Sequence, residues 1–378
     1  ADLGAGRIDD AVKGLESAAP AGVKGDPNQP PPNGMFAPGV ADKALAPGAP
    51  PKLDVLGEGE DPKIQLHASV PKGKETVNVL LQMAFAGKPL APLLVMLEVG
   101  PDTGGAAPPP APAGSAAPDA PKPKPAPTGS AAAGAPAAPA DLGPISTTDQ
   151  AFVATVANVM LPNVEEPPKE LIDALKGAVI RFTMTKAGPT AFTHTFPKES
   201  DQQLVQTLDL QIGALEDAFS ALYTPAPDKP VGEGAYWIVT DRRKSLGAEV
   251  IRYRVITLSG LHGDNAELSI QVKQYMVDDK SALTGLVKME NPLVVEYEAV
   301  GKGAMVIGPG SRYPKEGQLE AQIETTVMPA AAKGNPQAPR APLQVQMLVQ
   351  TGPIQIKEKP KDGKEKPKDK PKAPKPQP

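Results

Sequence analysis

Lys198–Tyr223 (KESDQQLVQTLDLQIGALEDAFSALY) is the one long stretch of this chain with a clean helical period. Nearly every other patterned stretch alternates with period 2. Leu204, Leu208, Ile212, Leu215, Phe219 and Leu222 recur at steps of three and four, which places them on one helical face. Ser200, followed three residues later by Gln203, has capping-box spacing, and Pro225 and Pro227 forbid continuation beyond Tyr223. A helix with one apolar face among strand sequences needs a sheet to bury that face. The expected fold is mainly β, a β-rich α+β class: curved antiparallel sheet(s) or a half-barrel covered by one long amphipathic helix.

The 378 residues suffice for one large domain or two ordinary ones, but 48 prolines and 36 glycines are about twice ordinary usage. They concentrate in three segments, so less chain folds than the length suggests. Net charge is −4, which argues against nucleic acid as a general partner. Cysteine is absent, which excludes disulfides, thiolate metal sites and cysteine nucleophiles and fits an exported bacterial protein. The sequence starts at Ala1 without a basic segment followed by an apolar one, so either a signal peptide has been removed or the start was trimmed. The most apolar stretch, Val77–Val99, is interrupted by Lys88, Pro89 and Pro92 and falls short of the roughly 20 residues of a membrane-spanning helix.

Three low-complexity segments frame a single expected β-rich domain over residues 61–356. Residues 1–60 hold a short helical pattern (Ile8, Val12, Leu15) and then a Pro/Gly-rich leader, expected to be a disordered tether with Met35–Phe36 docking. Residues 100–143, almost wholly Ala, Pro, Gly and Ser, read as a disordered insertion looping out between strands. Residues 357–378 form a Lys/Pro-rich tail, nine lysines against four acidic residues, expected to be disordered and extended. Between these, ten to twelve mostly antiparallel strands are expected. They include Lys63–Val70, Glu75–Phe85, Leu90–Val99, Ile145–Leu161, a hairpin over Val179–Phe196, and strands from Tyr236, Glu249, Ala266, Leu293, Gln318 and Leu343. Pro168–Lys176 reads as a short helix, stopped by Gly177.

Motifs that would carry chemistry are weak. His67, His194 and His262 lie on different expected elements without ligand spacing, so neither a metal site nor a cofactor is expected. The glycines from Gly232 to Gly310 complete neither GxGxxG nor GxxxxGK[ST]. Ser69-Val70-Pro71-Lys72 matches SxxK but lacks the helix and partner motifs of an acyl-transfer enzyme. Asp278–Asp279 and Glu165–Glu166 are adjacent and point to opposite sides of a strand. No enzyme constellation emerges.

Two readings stay open for the 198–223 stripe. Its apolar residues are either core alone or one wall of a space holding an acyl chain or similar apolar ligand, as in half-barrel envelope carriers, a fold-level analogy. In the second reading Leu208, Ile212, Leu215, Phe219, Trp237 and His194 are the candidate ligand-binding residues. Trp237 has core as its competing reading, and His194 a hydrogen-bonded place at the core's edge. The tail over 357–378 is either a solubilising extension or a contact for an anionic surface.

At Pro230–Trp237 (PVGEGAYW), and in the leader Pro30–Leu66, the chain resembles an uncharacterised family of bacterial exported proteins, often lipoproteins with Ala/Pro-rich leaders. That resemblance spans most of residues 30–350 and implies a β-rich envelope protein, without an activity or catalytic residues to carry over. It also implies a lipidated cysteine before Ala1. The combined expectation is a non-enzymatic, exported protein: periplasmic, attached to the outer membrane or on the cell surface. Its role would be to bind a lipid or other apolar ligand beside the 200–222 helix. The alternative is a structural or surface-assembly spacer acting through disordered arms and strand edges.

Overall fold

The computed structural model describes residues 31, 33–37, 39–66, 73–102, 150–185, 188–197, 202–279, 289–308, 313–335 and 337–353. The expectations for residues 1–30, for most of the 100–143 insertion, for His67, for the SxxK match and for the 357–378 tail lie outside these residues.

The molecule is mainly β: among the described residues, thirteen strands form one antiparallel sheet that does not close. In chain order the elements are α1 (Val40–Ala44), β1 (Lys52–Gly57), β2 (Glu75–Phe85), β3 (Lys88–Pro89), β4 (Leu93–Pro101), β5 (Gln150–Met160), α2 (Lys169–Leu175), β6 (Val179–Thr185) and β7 (Gly188–Thr195). They continue with α3 (Gln202–Leu222), β8 (Tyr236–Ser245), β9 (Ala248–His262), β10 (Asn265–Met276), β11 (Pro292–Ile307), β12 (Glu316–Pro329) and β13 (Ala341–Thr351). The strand order is β1-β8-β9-β10-β11-β12-β13-β2-β4-β5-β6-β7, with β3 a short flap on β2.

Two meanders make this sheet. One runs from β2 to β7 and the other from β8 to β13; pairing of β13 with β2, from Val345↔Phe85 to Thr351↔Val79, fuses them. α3 is the connection between the meanders, so it carries the chain from β7 at one margin to β8 near the other. Laid flat, the ten inter-strand steps from β8 to β7 would span about 48 Å, whereas a 21-residue helix is about 31 Å long. One helix touches both β7 and β8, so the sheet curls to bring them within its reach. Accordingly, α3 packs against β7 and β8 at the margins and against β2 and β12 between them.

Alternation along the strands decides what faces α3. Val77, Val79, Leu81 and Met83 of β2, Leu93, Val95, Leu97 and Val99 of β4, and Ile180, Phe182 and Met184 of β6 are buried in one cluster with Leu208, Ile212, Leu215, Phe219 and Leu222 of α3. Burying a large aliphatic or aromatic side chain contributes roughly 1.5–3 kcal/mol, so this cluster dominates the stability of the fold. Aromatic rings fill its middle: Phe219 lies 4.4 Å from Tyr313 and 5.4 Å from Phe182 between ring centroids.

Three expectations need correction. The leader is not unstructured up to residue 60. Phe36, Ala41 and Leu45 pack on Ile251 and Tyr275, on the face of β9–β10 turned away from α3, and β1 pairs with β8 from Lys52↔Thr240 to Gly57↔Tyr236. The physical reason is that the outward face of β9, with Ile251, Tyr253 and Val255, is apolar and needs an outer cover. Secondly, Lys63–Val70 is not a ladder strand over its described part: Ile64 makes only an isolated bridge with Val231. Thirdly, β11 runs on through Gly301 and Gly303 to Ile307, past the expected end at Val300. A Cβ at Gly303 would stand 2.4 Å from the Gln318 carbonyl oxygen, so these glycines admit close strand approach.

Candidate functional site

The PVGEGAYW segment explains itself structurally. Gly232 donates its N–H to the Glu58 carbonyl at 2.8 Å, and a Cβ there would sit 1.5 Å from the Glu60 carbonyl oxygen. Gly234 has φ +81 and donates to the Leu258 carbonyl. Gly232 lets the leader backbone dock across the entry to β8, and Gly234 supplies the left-handed backbone of the turn into that strand. Trp237 follows, fully buried, its indole Nε1–H donating to the Pro225 carbonyl at 3.0 Å. That bond ties the proline-rich crossover after α3 to β8.

The six candidate ligand residues divide between two settings. Leu208, Ile212, Leu215, Phe219 and Trp237 share the buried apolar cluster. His194 stands apart on β7, its side chain about a quarter exposed, between two carboxylates of α3: Nδ1 is 3.0 Å from Glu216 and Nε2 3.2 Å from Asp209. The Glu216 hydrogen bond, helped by Asp209 and opposed by partial burial, raises the His194 pKa above its ordinary value. His194 therefore tethers the helix to one margin of the sheet.

At the other margin lies a cluster that the sequence reading did not single out. β9 alternates Val250, Arg252, Arg254, Ile256 and Leu258 towards α3, so two arginines occupy the phase of core residues. Asp241 of β8 bridges them: Arg252 donates through Nε at 2.9 Å and again through a second nitrogen, and Arg254 donates at 3.0 Å. Arg252 also donates to Ser220 Oγ at 3.0 Å, and Arg254 to the Tyr223 carbonyl at 2.7 Å. Arg243 pairs with Asp217, whose other oxygen accepts the Leu246 N–H at 3.0 Å. Leu246 and Gly247, both at positive φ, form the two-residue β8–β9 turn, so Asp217 holds that turn to the helix.

The charges are shielded from water. Burial pushes the Asp241 carboxyl up, but Arg252 and Arg254 outweigh it and hold the group below its ordinary value. Burial, reinforced by Arg252, lowers Arg254 to about 9, still protonated at neutral pH. Arg254 is 1% exposed, and its Nε is buried without a hydrogen-bond partner. The signal in the sequence is the spacing of Arg252 and Arg254, two residues apart and in phase with Val250, Ile256 and Leu258.

Three concavities are described. A void of about 30 Å³ lies beside Asp217, Ala221 and Leu246, between α3 and the sheet. A recess of about 260 Å³ lies between Gly188–Phe192 of β7 and Asp241–Lys244 of β8. An open groove of about 1260 Å³ crosses the opposite face of the sheet, lined by Lys273, Glu298, Lys302 and Glu320 among others. No group of three or more metal-ligating side chains occurs among the described residues, and no helix among them is long and apolar enough to cross a membrane. No protein-family model, curated protein or solved structure matches the chain.

Proposed function

We propose that the protein is a non-enzymatic binding module of the bacterial cell envelope, a half-barrel that takes an apolar ligand between its sheet and α3. The observation that carries this reading is the position of α3. It lies within the hollow of an open sheet, reaches both margins, and presents Leu208, Ile212, Leu215 and Phe219 to the apolar lining. The apolar face of α3 packs against the lining with a void of about 30 Å³ at Ala221 and Leu246, and the recess of about 260 Å³ meets the helix at the polar Glu216 and Ser220, so α3 itself occupies the hollow. An acyl chain enters by displacing α3, and the helix is the plug of an otherwise complete apolar hollow.

Two features support movement of the plug. Gly213 sits mid-helix where a Cβ would meet nothing within 4 Å, so no packing demand explains a residue that weakens the helix by about 1 kcal/mol. The buried polar contacts of α3 gather at its C-terminal half, from Asp217 to Tyr223, whereas the Leu208–Ile212 segment joins its apolar contacts to the more exposed pair of Asp209 with His194. Export to the envelope is the compartment that the leader resemblance supports. Mass spectrometry of organic extracts from natively purified protein tests the reading. A stoichiometric amphiphile is expected; protein repeatedly free of any amphiphile, and unable to take up a fluorescent fatty acid, would refute it.

A second reading, as a surface-assembly or spacer protein, has one observation in its favour. Among the described residues β1 is an edge of the sheet, with Val55 and Leu56 exposed, the kind of edge onto which another strand adds. Pro substitution at Val55 would abolish assembly in that case and leave a ligand-binding monomer unaffected.

A further inference from the structure

His194 reaches from β7 to α3 with both ring nitrogens: Nδ1 stands 3.0 Å from Glu216 Oε1, and Nε2 3.2 Å from Asp209 Oδ1. An ionised carboxylate only accepts hydrogen bonds, and a neutral imidazole carries a single N–H. Both bonds therefore exist together only while the ring is protonated. Asp209 and Glu216 lie about two turns apart on the helix, and Gly213, its single glycine, falls between them. One titratable side chain thus joins the two halves of α3 across its poorest helix former.

The two bonds are unequal. Glu216 makes the shorter contact and its side chain is 16% exposed, whereas that of Asp209 is 53% exposed. When the ring loses a proton, the remaining N–H stays where water competes least, on Nδ1 towards Glu216. Nε2 then faces Asp209 as one acceptor facing another, and Asp209 is released. Among the described residues no other charge takes over. On β6, Ile180 lies opposite His194, and Arg181 is engaged by Asp102. On β8, Arg243 lies over the Phe192 ring and is held by Asp217. The charged residues of α2, which also packs on α3, do not bear on the ring; Glu216 and Asp209 do. Glu216 chiefly, against partial burial and with help from Asp209, holds His194 above its ordinary 6.5, so release falls above that pH.

We propose that His194 is a proton switch on α3: protonated, it ties both halves of the helix to β7, and deprotonated, it keeps Glu216, releases Asp209 and lets the Leu208–Ile212 segment open. What opens is the part of α3 that the buried contacts of Asp217, Ser220 and Tyr223 do not hold. As a gate for an apolar ligand, entered more readily as pH rises, the switch rests on the reading of α3 as a plug. The loosening of the helix stands without any ligand.

Amide hydrogen exchange of the full chain at about pH 6 and about pH 9, corrected for the intrinsic rate at each, tests the switch with no ligand present. Protection over Leu208–Ile212, taken relative to that over Asp217–Leu222, is expected to fall about two- to fivefold at the higher pH, the strength of a partly exposed ion pair. Asp209→Ala, at an exposed helical position, should show the low value at both pH values, and His194→Gln should remove the pH dependence. Nitrogen NMR of the imidazole should place the remaining proton on Nδ1 at the higher pH. Equal wild-type protection at the two pH values, a fall that persists in Asp209→Ala, or a proton left on Nε2 overturns the proposal. Uptake of a fluorescent fatty acid at the same two pH values separates the switch from the ligand reading. Protection that falls while no fatty acid enters at either pH upholds the switch and refutes the plug; uptake with unchanged protection does the reverse.

Discussion

The interior of the sheet and its β8–β9 side hold the same helix by opposite means. Towards β2, β4 and β6, α3 presents Leu208, Ile212, Leu215 and Phe219 to aliphatic and aromatic side chains, a contact without direction that tolerates sliding. Towards β8 and β9 it presents Asp217, Ser220 and the Tyr223 carbonyl to Arg243, Arg252 and Arg254, contacts fixed by hydrogen-bond geometry. The apolar side contributes most of the stability. The ionic side contributes little net stability but sets where the helix must sit, since removing either partner strands a buried charge.

The sharpest way to break this contrast is at Asp241. Asp241→Ala strands both Arg252 and Arg254 and is expected to cost about 5 kcal/mol in urea unfolding. By the same logic, replacing Asp241, Arg252 and Arg254 together with apolar residues of similar volume should leave stability near wild type, which would show that the trio acts through position. Phe219→Ala, on the apolar side, is expected to cost about 3–4 kcal/mol through the cavity it leaves among Phe182, Tyr313 and its other neighbours.

A smaller effect belongs to His194. Its pKa is raised in the folded chain by Glu216, then Asp209, so its contribution is fully present below the unfolded value of about 6.5 and is lost as pH rises through the raised folded value. The stability difference between wild type and His194→Gln should therefore shrink as pH increases from about 6 to 9. A difference that grows over that range would refute the pairing.

Much of the β architecture is legible from the chain, because alternation writes the buried face directly into the order of residues. The strands at Glu75, Ala266 and Leu343 start within two residues of where alternation places them, and the 179–196 hairpin pairs from Val179↔Thr195 to Thr185↔Gly188 with one register shift between Arg181 and Thr183. What alternation does not carry is the partner across space. Nothing local in Pro50–Gly57 announces that it will pair with β8, since that pairing answers a need of β8 and β9. Likewise Asp217 reads as an ordinary helix charge until Arg243, 26 residues away, meets it. The sequence reading picked out the apolar wall and His194 but missed the arginines, because it placed a strand at Glu249–Leu258 without asking which residues shared a side.

The central claim, that α3 is a displaceable plug clamped at its C-terminal half, is tested most directly by native-state amide hydrogen exchange across Gln206–Leu222 in wild type and Gly213→Ala. The account predicts that amides around Leu208–Ile212 exchange through a local opening well below the global unfolding free energy, while those of Asp217–Leu222 are more protected. Gly213→Ala should slow the first set roughly three- to fivefold, matching the 0.5–1 kcal/mol by which Ala favours a helix over Gly. Exchange of both segments only with global unfolding would contradict it and make α3 a fixed part of the core.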